Sequence, residues 1–181
     1  MRSIAREELV NLPIRRYEGK VSLVETLRDL EHARADFRQE PIVGLDTETR
    51  PSFHKGQSYL PCLVQAATAR AVYIFQLRRL EVFPALAELL ASPATVKTGV
   101  GLAHDVSQLK QVFPFDVANT LDLGVVARRR GLAQTGVRNL AGMFLGFRVP
   151  KGNRTSNWAA ARLSPAQITY AATDAWVCRE L

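Results

Sequence analysis

The amino-acid sequence predicts a mixed α/β fold: a sheet of about five strands, the first three antiparallel, flanked by α-helices. Three observations carry that reading. Pro41 opens an unbroken apolar run, Ile42-Val43-Gly44-Leu45, that ends in Asp46, as a central strand buried on both faces does. Cys62–Ala67 and Ala71–Phe75 are two further strand-like runs, and only Thr68-Ala69-Arg70, a hairpin-length gap, separates them. Beyond them, helical patterns over about 80–91, 102–113, 122–129 and 136–145 are interspersed with short strands near 95–98 and 115–118.

Taken in chain order, residues 1–22 read as an N-terminal extension with a short strand near Ile14–Tyr17, and residues 23–181 as one domain. A helix runs from about Leu23 to Phe37, with Leu23, Leu27, Leu30, Ala33 and Phe37 at helical spacing. The last helix is the most firmly marked. Ser164 is its N-cap, Pro165 its first helical residue, and Gln167 completes a capping box. Leu163 and Ile168 take the two places of a hydrophobic staple. That start sets the register of Tyr170 and Asp174.

At 181 residues, 47% hydrophobic and 23% charged, the chain has the composition of a globular domain. No apolar stretch approaches a membrane span, and the N-terminus has no apolar signal region. Cys62 and Cys178 lie in apolar contexts without a paired pattern, which points to free thiols and a reducing cytoplasm. Lys and Arg number 24 against 17 Asp and Glu, a formal charge of +7. A basic domain suits a polyanionic partner, although charge alone leaves the question even. Oligomeric state is not legible.

The candidate site lies in three short acidic motifs. Asp46-Thr47-Glu48 closes the central strand, and on an extended chain side chains two apart share a face. Two such carboxylates repel each other and lose hydration, and a bound cation relieves both problems. Asp105 follows a Gly-rich turn and enters a helix whose stripe is Leu102, Val106, Leu109 and Phe113, so it borders the core. Tyr170 and Asp174, four apart, share one helical face with small residues between them. Each motif alone has an ordinary structural explanation.

In order, the three motifs resemble the DEDD exonuclease superfamily, and the tyrosine four residues before the last acid marks its tyrosine subclass. The words "VGLDTETRPSF", "PCLVQAAT", "KTGVGLAHDVSQL" and "SNWAAARLSPAQITYAATDAWV" look most like the Werner-type exonuclease domain, with the ribonuclease D-like branch second. The likeness runs from about residue 23 to the end. The second motif departs from it, with His104 before Asp105 in a Gly-Leu-Ala-His-Asp word where many members carry an upstream asparagine. Members usually continue the last helix past the point where this chain ends at Leu181, so the sequence reads as a truncated chain.

The resemblance implies a ribonuclease H-like fold and a 3'-5' exonuclease that releases nucleoside 5'-monophosphates with two divalent cations. Hard oxygen ligands point to Mg²⁺ or Mn²⁺, and no Cys/His cluster suggests zinc. By the same resemblance Asp46 bridges both cations, Glu48 and Asp174 share the one that activates water, and Asp105 serves the other. Tyr170 positions that water. Nucleic-acid contacts are assigned to Lys151, Arg154 and Asn157 before the last helix, and to His54 and Lys55 after the first motif. Trp158 fits either base stacking or the core, the core being the commoner role. Asp122 reads as a helix N-terminal acid rather than a further ligand. Arg128 to Arg130 fit a helix C-terminus before Gly131 as well as they fit nucleic acid. DNA is slightly favoured as substrate. A ribonuclease D-like exoribonuclease and a silent nucleic-acid-binding adaptor of the same fold are the alternatives.

Overall fold

The computed structural model describes residues 3–54, 56–152 and 155–181. Helix α1 (Arg6–Asn11) precedes strand β1 (Lys20–Leu23), helix α2 (Leu27–Phe37) and the central strand β2 (Ile42–Glu48). Then come β3 (Leu63–Ala67), β4 (Ala71–Gln76), α3 (Phe83–Ala91), β5 (Val96–Gly99) and α4 (Leu102–Leu109). The chain finishes with β6 (Thr120–Asp122), α5 (Leu123–Arg129), α6 (Val137–Leu140) and α7 (Pro165–Glu180).

The described strands form one six-stranded sheet in the order β1-β4-β3-β2-β5-β6. β2, β3 and β4 form the expected antiparallel meander, while β5 adds parallel to β2, β6 to β5 and β1 to β4. Alternation along the strands divides the core. Val43, Leu45, Val64, Ala66, Tyr73 and Phe75 face α2, α3 and α4. Leu63, Ala67, Val72 and Ile74 face α7 through Ala171, Ala172 and Ala175.

The short side chains of α7 let it lie close on the sheet, and the closest approach is over Gly44. A Cβ there would strike the Ala175 carbonyl oxygen and come within 2.6 Å of the Arg179 nitrogen. The start of α7 is the one read from the sequence. Gln167 N donates to Ser164 Oγ at 3.2 Å, and Ser164 N donates to Gln167 Oε1 at 2.8 Å. Leu163 and Ile168 pack in one cluster beside Trp158.

Some elements differ from expectation. Ile14 makes only an isolated bridge to Arg148, and the first strand of the sheet is Lys20–Leu23. Leu23 therefore belongs to that strand, because the helix after it waits for a cap: Thr26 Oγ1 accepts from Asp29 N, and the Asp29 carboxylate accepts from Thr26 N. The strand placed at 115–118 lies instead at Thr120–Asp122. Pro114 has no N–H to give a ladder, and Phe115 turns into the core instead. Pairing resumes where Asn119, at φ 50, redirects the chain and its carbonyl accepts from Lys97 N at 2.9 Å.

The crossing at Gly44 yields a stability prediction. Gly44→Ala should cost about 3 kcal/mol or more in denaturant unfolding, because helix backbone cannot move aside as a side chain can. Gly136→Ala, where an added Cβ meets nothing within 4 Å, should change stability by under about 1 kcal/mol. Similar behaviour of the two variants would refute the close crossing.

Candidate active site

Asp46 and Glu48 stand on the α7 face at the C-terminal end of β2, opposite Gln65 and Leu63 of β3. Asp174 comes down on them from the third turn of α7. The three side chains each offer a ligand oxygen, and these oxygens lie within 4.8 Å of one another. Glu48 and Asp174 are each 8% exposed. This donor set, all oxygen and all acidic, fits hard divalent cations.

Asp105 is outside that trio but close enough for its charge to act on Asp46 and Glu48. Two features fix it, the Thr47 hydroxyl and the helix acid Asp122, and only the second was legible in the sequence. Thr47 points to the opposite face of β2 from its acidic neighbours and donates to Asp105 Oδ1 at 2.9 Å. Asp122 caps α5, accepting from Gly124 N at 2.9 Å and Val125 N at 3.1 Å. It also accepts from Gly101 N at 3.2 Å and Ala103 N at 3.3 Å, which ties down the start of α4. Asp122 is thus the helix acid the sequence suggested, with a second helix in its charge.

The electrostatics of the trio are those of crowded, poorly hydrated anions. Burial, then the charges of Asp174, Glu48 and Asp105, hold the Asp46 carboxyl well above the usual range. Glu48 is pushed up to about 8 by burial and by Asp174 and Asp105. Burial lifts Asp174 to about 6, against a hydrogen bond from Tyr170 and the charge of Arg138, which both lower it. Burial also raises Asp105, with the Thr47 hydrogen bond opposing. The Tyr170 phenol is raised by burial and then by Asp174 and Glu48, so it stays protonated and acts as a donor. Burial raises both thiols, which excludes Cys62 and Cys178 as thiolate nucleophiles at neutral pH.

Arg138 of α6 is the cation whose field reaches both Tyr170 and Asp174. Its Nη2 donates to the Pro150 carbonyl at 3.3 Å. No acidic motif flags it, and only the packing of α6 beside α7 brings it to the site. Gly152 lies against the Tyr170 ring, where a Cβ would collide with Cδ2 and Cε2. This fixes the side of the site on which the loop before α7 lies.

The remaining predicted contacts are spread around the site. Lys151 is exposed beside Tyr170 in a shared cleft. Asn157 is exposed, and its carbonyl accepts from Gln167 Nε2 at 3.1 Å, so its backbone helps hold the start of α7. His54 is exposed, and its carbonyl accepts from Gln57 N at 3.2 Å. Lys55 and Arg154 lie outside the described residues. Trp158 is fully buried against Leu63, Ile74 and Ala171, with its ring 5.8 Å from that of Tyr170, so the core role holds. Arg128 and Arg129 end α5 before Gly131 at φ 75, as a helix C-terminus requires.

Stability should therefore depend on pH in a particular sense. Acids with raised folded-state pKa bind more protons folded than unfolded, so the stability they confer is lost as pH rises through the folded values. Without divalent cations the thermal midpoint should fall by roughly 5 °C or more as pH rises through about 6 to about 8, the values for Asp174 and Glu48. Saturating Mn²⁺ should remove most of that fall. A midpoint that rises over this window in EDTA would refute the crowding.

Comparison with known proteins agrees with this geometry. The family described as 3'-5' exonuclease matches residues 21–181. Ribonuclease D of Gluconacetobacter diazotrophicus is 34% identical over 157 residues, 84% of this chain and 39% of its own length. The bifunctional 3'-5' exonuclease/ATP-dependent helicase WRN of Mus musculus is 28% identical over 176 residues, 92% of this chain and 13% of its own. The chain thus spans well under half of the curated relatives it matches. The exonuclease domain of Aedes aegypti Nibbler superposes with a TM-score of 0.79 at 23% identity, covering 91% of this chain and 87% of that one, which shows the shared fold. The sheet, the acidic trio and these likenesses together make this chain a member of the 3'-5' exonuclease family.

Proposed function

We propose that this domain removes nucleotides from the 3' end of RNA, using two divalent cations, Mg²⁺ or Mn²⁺, held by Asp46, Glu48, Asp105 and Asp174. The observation that carries the reading is the acidic trio, with ligand oxygens within 4.8 Å in a setting that penalises their charge. Such cations, when bound, ionise water near neutral pH and cover charge on the leaving oxygen. The weight moves from DNA to RNA because curated relatives named ribonuclease D reach 34% identity, against 28% for the Werner-type relative.

The chain's own groups divide the remaining work. Asp46, Glu48 and Asp174 supply the hard oxygens, and a hydrogen bond from Thr47 holds the Asp105 carboxylate in place. The protonated Tyr170 phenol donates a hydrogen bond that orients the attacking water. Arg138 stands where it offsets the anionic phosphodiester as it approaches the carboxylates. Members of the 3'-5' exonuclease family with all four acids and the tyrosine are equipped for turnover, which favours an enzyme over a silent adaptor.

The test is direct. The protein should shorten 5'-labelled single-stranded RNA stepwise from its 3' end with Mg²⁺ or Mn²⁺ and not with EDTA, and should act more slowly on the matching DNA. Faster DNA cleavage would restore the DNA reading, and binding without turnover on either polymer would favour the adaptor. Asp46→Ala should lower turnover by roughly 10³-fold or more. Because it relieves repulsion in the cation-free state, it should leave the thermal midpoint in EDTA unchanged or higher. An unfolded variant would make Asp46 a structural residue.

A further inference from the structure

Two clefts meet at the Val149-Pro150-Lys151 segment beside the site. One, of about 520 Å³, is walled by Arg6, Arg138, Arg148 and Lys151. The other, of about 400 Å³, runs from Arg16 past Lys151 to Tyr170. Among the described residues lining them, neither cleft has an acid. The N-terminal segment supplies the outer wall. Arg6, Leu9 and Val10 recur at i, i+3 and i+4 and turn one face of α1 to the cleft. Glu7 and Glu8, in the same helix, fall on its other faces.

That segment is fastened down. Ile4 N donates to Gln134 Oε1 at 3.0 Å, and Arg148 N donates to the Pro13 carbonyl at 2.9 Å. Arg15 N donates to the Arg148 carbonyl at 3.1 Å, and Tyr17 N to Thr173 Oγ1 at 2.9 Å. Gly142 leaves room for Ile4, Leu9 and Leu12 to pack beneath α1. Arg6 and Arg16 are exposed, and no described acid forms an ion pair with either. Exposed cations gathered without counter-charges repel one another, and a polyanion laid along them offsets that cost.

We infer that these clefts form a track for the sugar-phosphate backbone of a single strand upstream of its 3' end, with the N-terminal segment as one wall. The inference rests on the exonuclease reading for where the 3' end lies. Arg138 and Tyr170 join the track to the carboxylates, since each lines one cleft and both act on Asp174. Arg6 and Arg16 touch only upstream phosphates, so they matter for long strands and not for the last nucleotides.

The test uses the full chain with 5'-fluorescein RNA of about three and about twelve nucleotides. Binding is followed in Ca²⁺ by anisotropy across a salt series, and turnover in Mg²⁺. The double substitution Arg6→Glu/Arg16→Glu should weaken binding of the longer strand by about tenfold, and lower its salt slope by about 1.4, near 0.7 per phosphate contact. Binding of the short strand and its turnover number should stay within about twofold. Arg128→Glu/Arg129→Glu, with the same change of charge away from the clefts, should leave the longer strand within about twofold. Equal weakening of both strands, equal weakening by the control pair, no effect, or no binding of the longer strand by the unaltered protein would each overturn the track. A track that behaves as described in a protein that never shortens RNA or DNA would overturn the exonuclease reading instead.

Discussion

Asp46, Glu48 and Asp174 are held with ligand oxygens within 4.8 Å of one another, where burial pushes all three carboxyls up and neighbouring acids push Asp46 and Glu48 further. Most of the architecture can be understood as what keeps that arrangement in place. Two of the acids come from consecutive outward steps of one strand, so pleating alone aligns them. The third comes from a helix, and a helix can reach a strand so closely only over small residues. Gly44 below and Ala171, Ala172 and Ala175 above meet that requirement. The short side chains of α7 are therefore a condition of the site as much as of the core.

Around the trio, neighbouring groups fix the acids in place without neutralising their charge. Thr47 and Asp122 act on Asp105 by different routes, one through its carboxylate and one through the start of its helix. Arg138 and the Tyr170 phenol lower Asp174, yet burial still prevails there. The balance leaves a site with strong unmet demand for positive charge, which cations and their anionic substrate can meet together. It is a poor arrangement for stability and a good one for binding hard cations.

The basic character of the chain gains a location from the same geometry. Arginines that composition counts alike end in different settings. Arg128 and Arg129 close a helix, while Arg6 and Arg16 stand along clefts that lead to Tyr170. Composition alone could not separate them, because the formal charge of +7 carries no direction. Direction comes from the N-terminal segment folding back over α6 and α7, through contacts more than 100 residues apart in sequence.

By itself the sequence determined the central strand and its paired acids, the antiparallel meander, and the capped start of α7 that fixes Tyr170 and Asp174. These depend on period-two alternation, hairpin length and capping chemistry, all of which act over a few residues. Tertiary structure decided the rest. The strand at Thr120–Asp122 took the place of one read at 115–118, since Asn119 turned the chain toward β5. Leu23 joined an edge strand because its partner, β4, lies about fifty residues away. Thr47, Arg138 and Gly152 entered the site only when separate elements packed together, for what recruits each is a neighbour and not a motif.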